Sequence, residues 1–282
     1  MRRLLAGQFP EWSALPIEEL PVGGTDNAIY RLGDELSVRL PIKPTKPGDQ
    51  DLEFRWLPVL APRLPVAIPE PLALGHPAEG YPNEWAIHRW LPGTDATVAP
   101  LDLEQAAIDL ADVIAALWSI DPAGGPSGGR GEPLAPRDTQ TRSCIAELGL
   151  DEALPVWEAA LAAPVYEGPP RWLHGDLDNR NLLLEDRRIT GILDWSCACV
   201  GDPACDVKVA WAVLDAATRP VFRERLGVDD DTWARARGWA VSQAVIALPY
   251  YRGTYPAIVR EAERWLSQAL WDGNVQPPFD VY

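Results

Sequence analysis

Three lysines, three histidines, four cysteines and one methionine among 282 residues leave few groups for several kinds of chemistry. Cys197, Cys199 and Cys205 are close in sequence, but no second cysteine pair has zinc-site spacing and three histidines cannot complete one. A chain of this length buries roughly three quarters of the surface its unfolded form exposes, so reduced thiols suffice and no disulfide staple is needed. None of the lysines, Lys43, Lys46 and Lys208, follows a glycine. A Gly-Lys-Ser/Thr phosphate loop is therefore excluded, and no Gly-x-Gly-x-x-Gly dinucleotide fingerprint occurs. Gly125-Pro126-Ser127-Gly128-Gly129 spells a Gly-x-Ser-x-Gly hydrolase elbow, but that elbow needs a strand before the serine and a helix after it, and here Pro and Gly surround it. Long hydrophobic runs are also missing. The stretch Gly238 to Tyr251 is uncharged yet falls short of the roughly 18 residues of a membrane span, and Met1 to Gly7 leads into Pro10 and Glu11 without a signal-peptide apolar segment. A soluble, cytoplasmic protein is expected. Cations are scarce overall, 25 against 41 acidic residues, for a formal charge of −16. Such a field repels polyanions, which argues against nucleic acid as a partner, and attracts cationic small molecules.

What is present is an ordinary globular balance, 47% hydrophobic and 23% charged, which excludes a disordered chain. Ala28 to Leu32 and Leu36 to Leu40 are short apolar runs separated by Gly33-Asp34, the pattern of an antiparallel hairpin, and Trp85 to Trp90 reads as a further strand. A helix is expected over Asp49 to Leu60, stopped by the Pro-rich stretch Pro58 to Pro71. Pro92-Gly93 then breaks the chain, which sets expected domains of 1–91 and 92–282. From Leu101 to Ile120, Leu103, Ala107, Leu110, Ile114 and Leu117 recur at helical spacing, with Asp102 as N-cap and Gln105 as its reciprocal partner. Further helical patterns cover roughly 138–150, 206–217, 231–248 and 256–271. Strand-like runs at 172–174, 181–184 and 189–193 lie among them. The class is α+β: a small antiparallel-sheet domain, then a mainly helical one.

The second domain holds His174-Gly175-Asp176-Leu177-Asp178-Asn179-Arg180-Asn181-Leu182-Leu183-Leu184 and, after a charged turn, Ile192-Leu193-Asp194-Trp195. Asp176 falls just after one strand, Asn181 at the start of the next, and Asp194 at the end of its hairpin partner. Folding the hairpin would bring the three together. An Asp and an Asn supply hard oxygen ligands for Mg²⁺, which completes its shell with water and phosphate. A separate Asp can accept a proton from a hydroxyl nucleophile.

The five-residue step from Asp176 to Asn181, with a second Asp after a hairpin, resembles the eukaryotic-type kinase template. His-Gly-Asp for His-Arg-Asp, Leu-Asp-Trp for Asp-Phe-Gly, and the following Gly201-Asp202-Pro203-Ala204-Cys205-Asp206 are similar to the aminoglycoside phosphotransferase family of small-molecule kinases. The resemblance runs over most of the chain and implies a protein-kinase-like, two-lobed fold that binds ATP, or GTP, with Mg²⁺ between its lobes. By that resemblance Asp176 is the catalytic base or hydroxyl-orienting group, and Asn181 and Asp194 hold Mg²⁺. His174 orients the loop, Asp206 braces it by accepting hydrogen bonds, and Asp202 caps or orders its own segment. Gly175 cannot pair with a phosphorylated activation loop as the His-Arg-Asp arginine does, so activity without phosphorylation is expected.

The first domain supplies the counterpart. Gly23-Gly24-Thr25 precedes the first hairpin strand, where free N–H groups can approach phosphate. Arg39 stands at the strand position that kinases give to a phosphate-binding Lys, as in macrolide kinases of the family, and an arginine binds phosphate bidentately without losing its charge. Lys43 is the other candidate for that contact. Glu53 is the acidic partner expected from the following helix. Trp85 to Leu91 resembles the hinge that meets the nucleotide base, through the Arg89 carbonyl and the Leu91 amide. His76 and His88 read as packing or surface residues, while Tyr250 and Tyr251 could wall the acceptor pocket. The acceptor is expected to be a hydroxyl of an aminoglycoside or similar antibiotic; a macrolide, a metabolite alcohol or an amino sugar are alternatives, and a catalytically silent nucleotide-binding protein ranks below them.

Overall fold

The computed structural model describes residues 1–20, 26–45 and 51–271. The chain divides into two compact units: Met1–Gly93 with Gly191–Ser196, and Thr94–Thr190 with the described part of Cys197–Tyr282.

The first unit opens with helix α1 (Arg2–Gln8) and strand β1 (Ile17–Glu19). Strands β2 (Asn27–Leu32) and β3 (Leu36–Pro41) then form the expected hairpin, with Leu32 opposite Leu36 and Gly33 taking the left-handed turn position at φ +61°. Helix α2 (Asp51–Leu60) follows; Pro58 lies inside it rather than ending it, and the chain runs on into a single 3₁₀ turn, Ala61–Arg63. Strand β4 (Pro71–Gly75) begins at the last proline of the Pro-rich stretch and pairs with β5 (Trp85–Arg89). The order is β1-β2-β3-β5-β4, all antiparallel.

Alternation along β3 sorts its two faces. Leu36, Val38 and Leu40 join Leu32, Trp85 and Ile87 in a core closed by Leu4 and Leu5 of α1. Ser37 and Arg39 point to the other face, opposite His88 and Ala86 of β5, where α2 brings Glu53. Four of the five β5 residues are buried, as in a strand covered on both faces, and this is why its apolar run is nearly continuous.

The second unit begins at β6 (Thr94–Asp95), followed by helix α3 (Leu103–Ser119). Asp102 caps α3 by accepting from Gln105 N at 3.2 Å, but the reciprocal half of the box is absent: Asp102 N donates to Arg187 O, and the Gln105 side chain donates to Asp109. Helices α4 (Asp138–Leu148) and α5 (Leu154–Ala162) lead to β7 (Arg171–Leu173) and the hairpin β8 (Leu182–Glu185) and β9 (Arg188–Ile192). β7 pairs with β10 (Cys199–Gly201), not with the hairpin. The helical pattern over 206–217 is broken into α6 (Ala204–Val207) and α7 (Val209–Ala212). Helices α8 (Arg219–Leu226), α9 (Asp230–Tyr251) and α10 (Pro256–Leu270) complete the unit. α9 is its centre: buried residues ring it from Thr232 to Leu248, and α4, α5, α6 and α10 all pack on it. Arg235 of α9 and Asp202 form a buried ion pair at 2.8 Å.

Candidate active site

In the second unit the segment after β7 is fixed by hydrogen bonds to its backbone. Asp206, fully buried on α6, accepts from His174 N at 2.7 Å and Gly175 N at 2.8 Å, the bracing role the resemblance implies. Burial pushes the Asp206 carboxyl up, against the opposing pull of His174 and these amides. Gly175 sits at φ +82°, and a Cβ there would lie 2.6 Å from Cys197 O. Both facts demand glycine, so an arginine at this position would be strained and would clash with the backbone. His174 Nδ1 accepts from Asp176 N at 3.1 Å, and the Asn181 amide Nδ2 donates to Asp176 O at 2.8 Å. The structure thus brings Asp176 and Asn181 together. Because Nδ2 is committed, the Oδ1 of Asn181 is the atom left to accept or ligate.

The Asp176 carboxylate is only partly exposed and lies among cations. Arg130 Nη2 is 3.7 Å from Oδ1 and Arg180 Nη2 is 3.9 Å from Oδ2. Burial would raise its pKa, but Lys208, then Arg130, then Arg180 outweigh burial and lower it, keeping the group ionised. Arg180 is itself fixed by the buried Asp178, which accepts from its backbone N at 2.8 Å and its Nε at 3.0 Å. Lys208 is fully buried, with its ammonium 4.9 Å from the centre of the Trp265 ring. Arg130 lies in a Gly/Pro-rich stretch, Arg180 inside the segment His174 to Leu184, and Lys208 two residues after Asp206. None carries a sequence signal, because each acts through tertiary proximity.

In the first unit Arg39 bridges two carboxylates. Its Nη1 donates to Glu53 Oε1 at 2.8 Å and its Nη2 to Asp194 Oδ1 at 3.3 Å. Burial alone would push Glu53 up; Arg39 and then His88 outweigh it and bring its pKa down to about 2. Arg39 is raised well above its ordinary value because both carboxylates outweigh the burial of its charge. Asp194 occupies the left-handed region at φ +56°, rare for a residue with a side chain and frequent at functional positions, and its Oδ1 also accepts from Ser196 Oγ at 2.8 Å. Lys43 pairs with Asp26 at 2.6 Å. Of the hinge residues, the Arg89 amide donates to Glu70 O and the Trp90 amide to Glu35 O, and the Arg89 side chain pairs with Glu70 at 2.6 Å. Gly23, Gly24 and Thr25 lie outside the described residues. His76 is exposed, but His88, read as a packing or surface residue, is buried with its Nε2 3.2 Å from Glu53 Oε2.

Each unit presents a hard oxygen donor: Oδ1 of Asn181 in the second and Oδ2 of Asp194 in the first. Such oxygens are the ligand type Mg²⁺ takes, with water and phosphate completing its shell. No cluster of three or more His, Cys, Asp or Glu side chains among the described residues has metal-binding geometry.

A family model described as "Phosphotransferase enzyme family" matches residues 17–239. The chain belongs to the phosphotransferase enzyme family. As a member it is a phosphotransferase, on an α+β, protein-kinase-like fold. Among solved structures, the chain is similar to a GDP and kanamycin complex of APH(2")-IIia, at 21% identity and TM-score 0.74 over 95% of this chain and 97% of that one. It is also similar to the macrolide 2'-phosphotransferase MphH from Brachybacterium faecium, at 27% identity and TM-score 0.60 over 89% and 91%, and to a streptomycin-ATP-APH(2")-IIa ternary complex, at 16% and 0.58 over 86% and 89%. No curated protein matches the sequence. No helix among the described residues of this phosphotransferase is long and apolar enough to cross a membrane.

Proposed function

We propose that this phosphotransferase transfers the γ-phosphoryl group of ATP or GTP to a hydroxyl of an aminoglycoside or similar antibiotic in the cytoplasm. Residues 1–91 form its nucleotide-binding domain and residues 92–282 its catalytic and acceptor-binding domain. The observation that carries the chemistry is the braced loop: Asp206 and Asn181 fix the backbone on both sides of Asp176 while surrounding cations keep its carboxylate ionised. Asp176 receives the hydroxyl proton and aligns the oxygen for attack. Arg39, oriented by Glu53, holds the non-transferred phosphates bidentately, with the Gly23-Gly24-Thr25 amides beside them, and the Arg89 carbonyl and Leu91 amide meet the base. Mg²⁺ held by Asn181 and Asp194 would neutralise charge developing on the phosphates.

Kanamycin, streptomycin and gentamicin complexes among the similar structures support the aminoglycoside reading. A macrolide is the second reading, favoured by the 27% identity to a macrolide phosphotransferase and by Arg39 in place of a lysine. The test begins with thermal shifts by MgATP and MgGTP, since a ligand of the folded state raises Tm. A phosphate-transfer screen over aminoglycosides, macrolides and metabolite alcohols follows. Asp176→Asn should lower kcat by about a thousandfold while nucleotide affinity stays within about threefold. Wild-type turnover in Asp176→Asn would remove Asp176 from the chemistry, and transfer only to metabolite alcohols would overturn the antibiotic assignment.

A further inference from the structure

Behind the Arg39–Glu53 pair stands a third buried polar residue. His88 is 1% exposed and Glu53 4%. The Nε2 of His88 faces Oε2 of Glu53 at 3.2 Å, an ion-pair distance slightly off hydrogen-bond alignment, and neither atom has another hydrogen-bond partner. Such atoms are costly to leave unpaired, so each is the other's means of satisfaction. The sheet register explains the geometry. His88 lies opposite Ser37 and Ala86 opposite Arg39, so His88 and Arg39 share the face that receives Glu53 from α2. Phe54, the next residue of α2, packs 6.2 Å from the imidazole centre and limits its movement.

A carboxylate held at one oxygen alone can swing about its last torsion. Held at both, it presents a fixed edge to the guanidinium. We propose that His88 is a positioning residue: by holding Oε2 of Glu53 it commits Oε1 to Arg39 and so aims the guanidinium at the nucleotide phosphates. This rests on the reading in which Arg39 binds those phosphates.

Two variants of similar polarity separate positioning from packing. A glutamine at 88 carries its amide where Nε2 was, whereas an asparagine carries it where Nδ1 was. The readout is the dissociation constant of MgATP and of MgGTP, set against those of adenosine and guanosine, which lack phosphates. His88→Asn should weaken the preferred nucleotide about tenfold, the equivalent of one charge-assisted hydrogen bond, with its nucleoside unchanged. His88→Gln should stay within about threefold of the parent. In an Arg39→Gln background, itself weakened for nucleotide, His88→Asn should add little, because the two act through one carboxylate. Equal weakening of nucleotide and nucleoside would show a packing role and overturn the inference, as would equal affinities in His88→Asn and His88→Gln. If Arg39→Gln weakens nucleotide but His88→Asn does not, the inference alone falls; if Arg39→Gln binds nucleotide normally, the phosphate role of Arg39 falls with it.

Discussion

Replacing Glu53 by Gln removes a buried negative charge while keeping an oxygen for Arg39, so it isolates the electrostatic part of that pair. The carboxyl is held at about 2 against an ordinary 4.5. At about 1.36 kcal/mol per pH unit, the ionised form in the folded state contributes about 3 kcal/mol at neutral pH. The sign follows from the depressed value. Stability is fully present above the unfolded pKa near 4.5 and is lost as pH falls through it towards about 2. The penalty of Glu53→Gln should therefore be about 3 kcal/mol at pH 7 and about 2 kcal/mol at pH 3.5. Equilibrium urea unfolding at both pH values checks this, with Trp56 on α2 and Trp85 on β5 as fluorescent reporters of the first unit. A penalty below about 1 kcal/mol at pH 7, or one that does not shrink on acidification, would refute an ionised, Arg39-paired Glu53.

Two further outcomes bear on the second unit. Gly175→Ala puts a Cβ at φ +82° and 2.6 Å from Cys197 O, and should cost about 1–3 kcal/mol in urea unfolding, where a neutral effect would contradict the geometry. Burial and then the neighbouring Asp206 push the Cys199 thiol up to about 12, and burial raises Cys205 as well. Iodoacetamide at pH 8 should therefore leave both unmodified in the folded protein, and rapid alkylation detected by mass spectrometry would show that β10, for Cys199, or α6, for Cys205, opens.

Legibility in the sequence followed the range of the interactions concerned. The β2–β3 hairpin, α3 and α9 were readable because local patterns decide them: a turn residue between apolar runs, or apolar residues at helical spacing. Helices α1, α5 and α8 were not read, being short and stabilised by packing more than by a periodic stripe. The pairing of β7 with β10, 26 positions apart at Leu173 and Cys199, has no local signal at all. The capping box at α3 fails for one tertiary and one local reason, since Arg187 of the distant β8–β9 turn takes the Asp102 amide and Asp109, one turn along α3, takes the Gln105 side chain. Among the candidate residues, Asp176, Asn181 and Asp194 are legible by spacing, whereas within each folded unit distant segments bring His88 beside Glu53 and Arg130 and Lys208 beside Asp176.

The same distinction governs electrostatics. A formal charge of −16 suggests a site that draws cations, yet the described surroundings of Asp176 are close to balance. Arg130, Arg180 and Lys208 stand against Asp176, Asp178 and Asp206, of which Lys208, Asp178 and Asp206 are withdrawn from water. Long-range attraction is screened over about 8–10 Å at physiological salt, whereas contacts inside a desolvated loop are not. The global charge can therefore speed the approach of a cationic acceptor, but the ionisation of Asp176 is set by three specific neighbours. Lys208 is the strongest of these, although it is buried and lies outside the catalytic motif. Composition governs encounter, and the placement of a few scarce cations governs the Asp176 carboxylate.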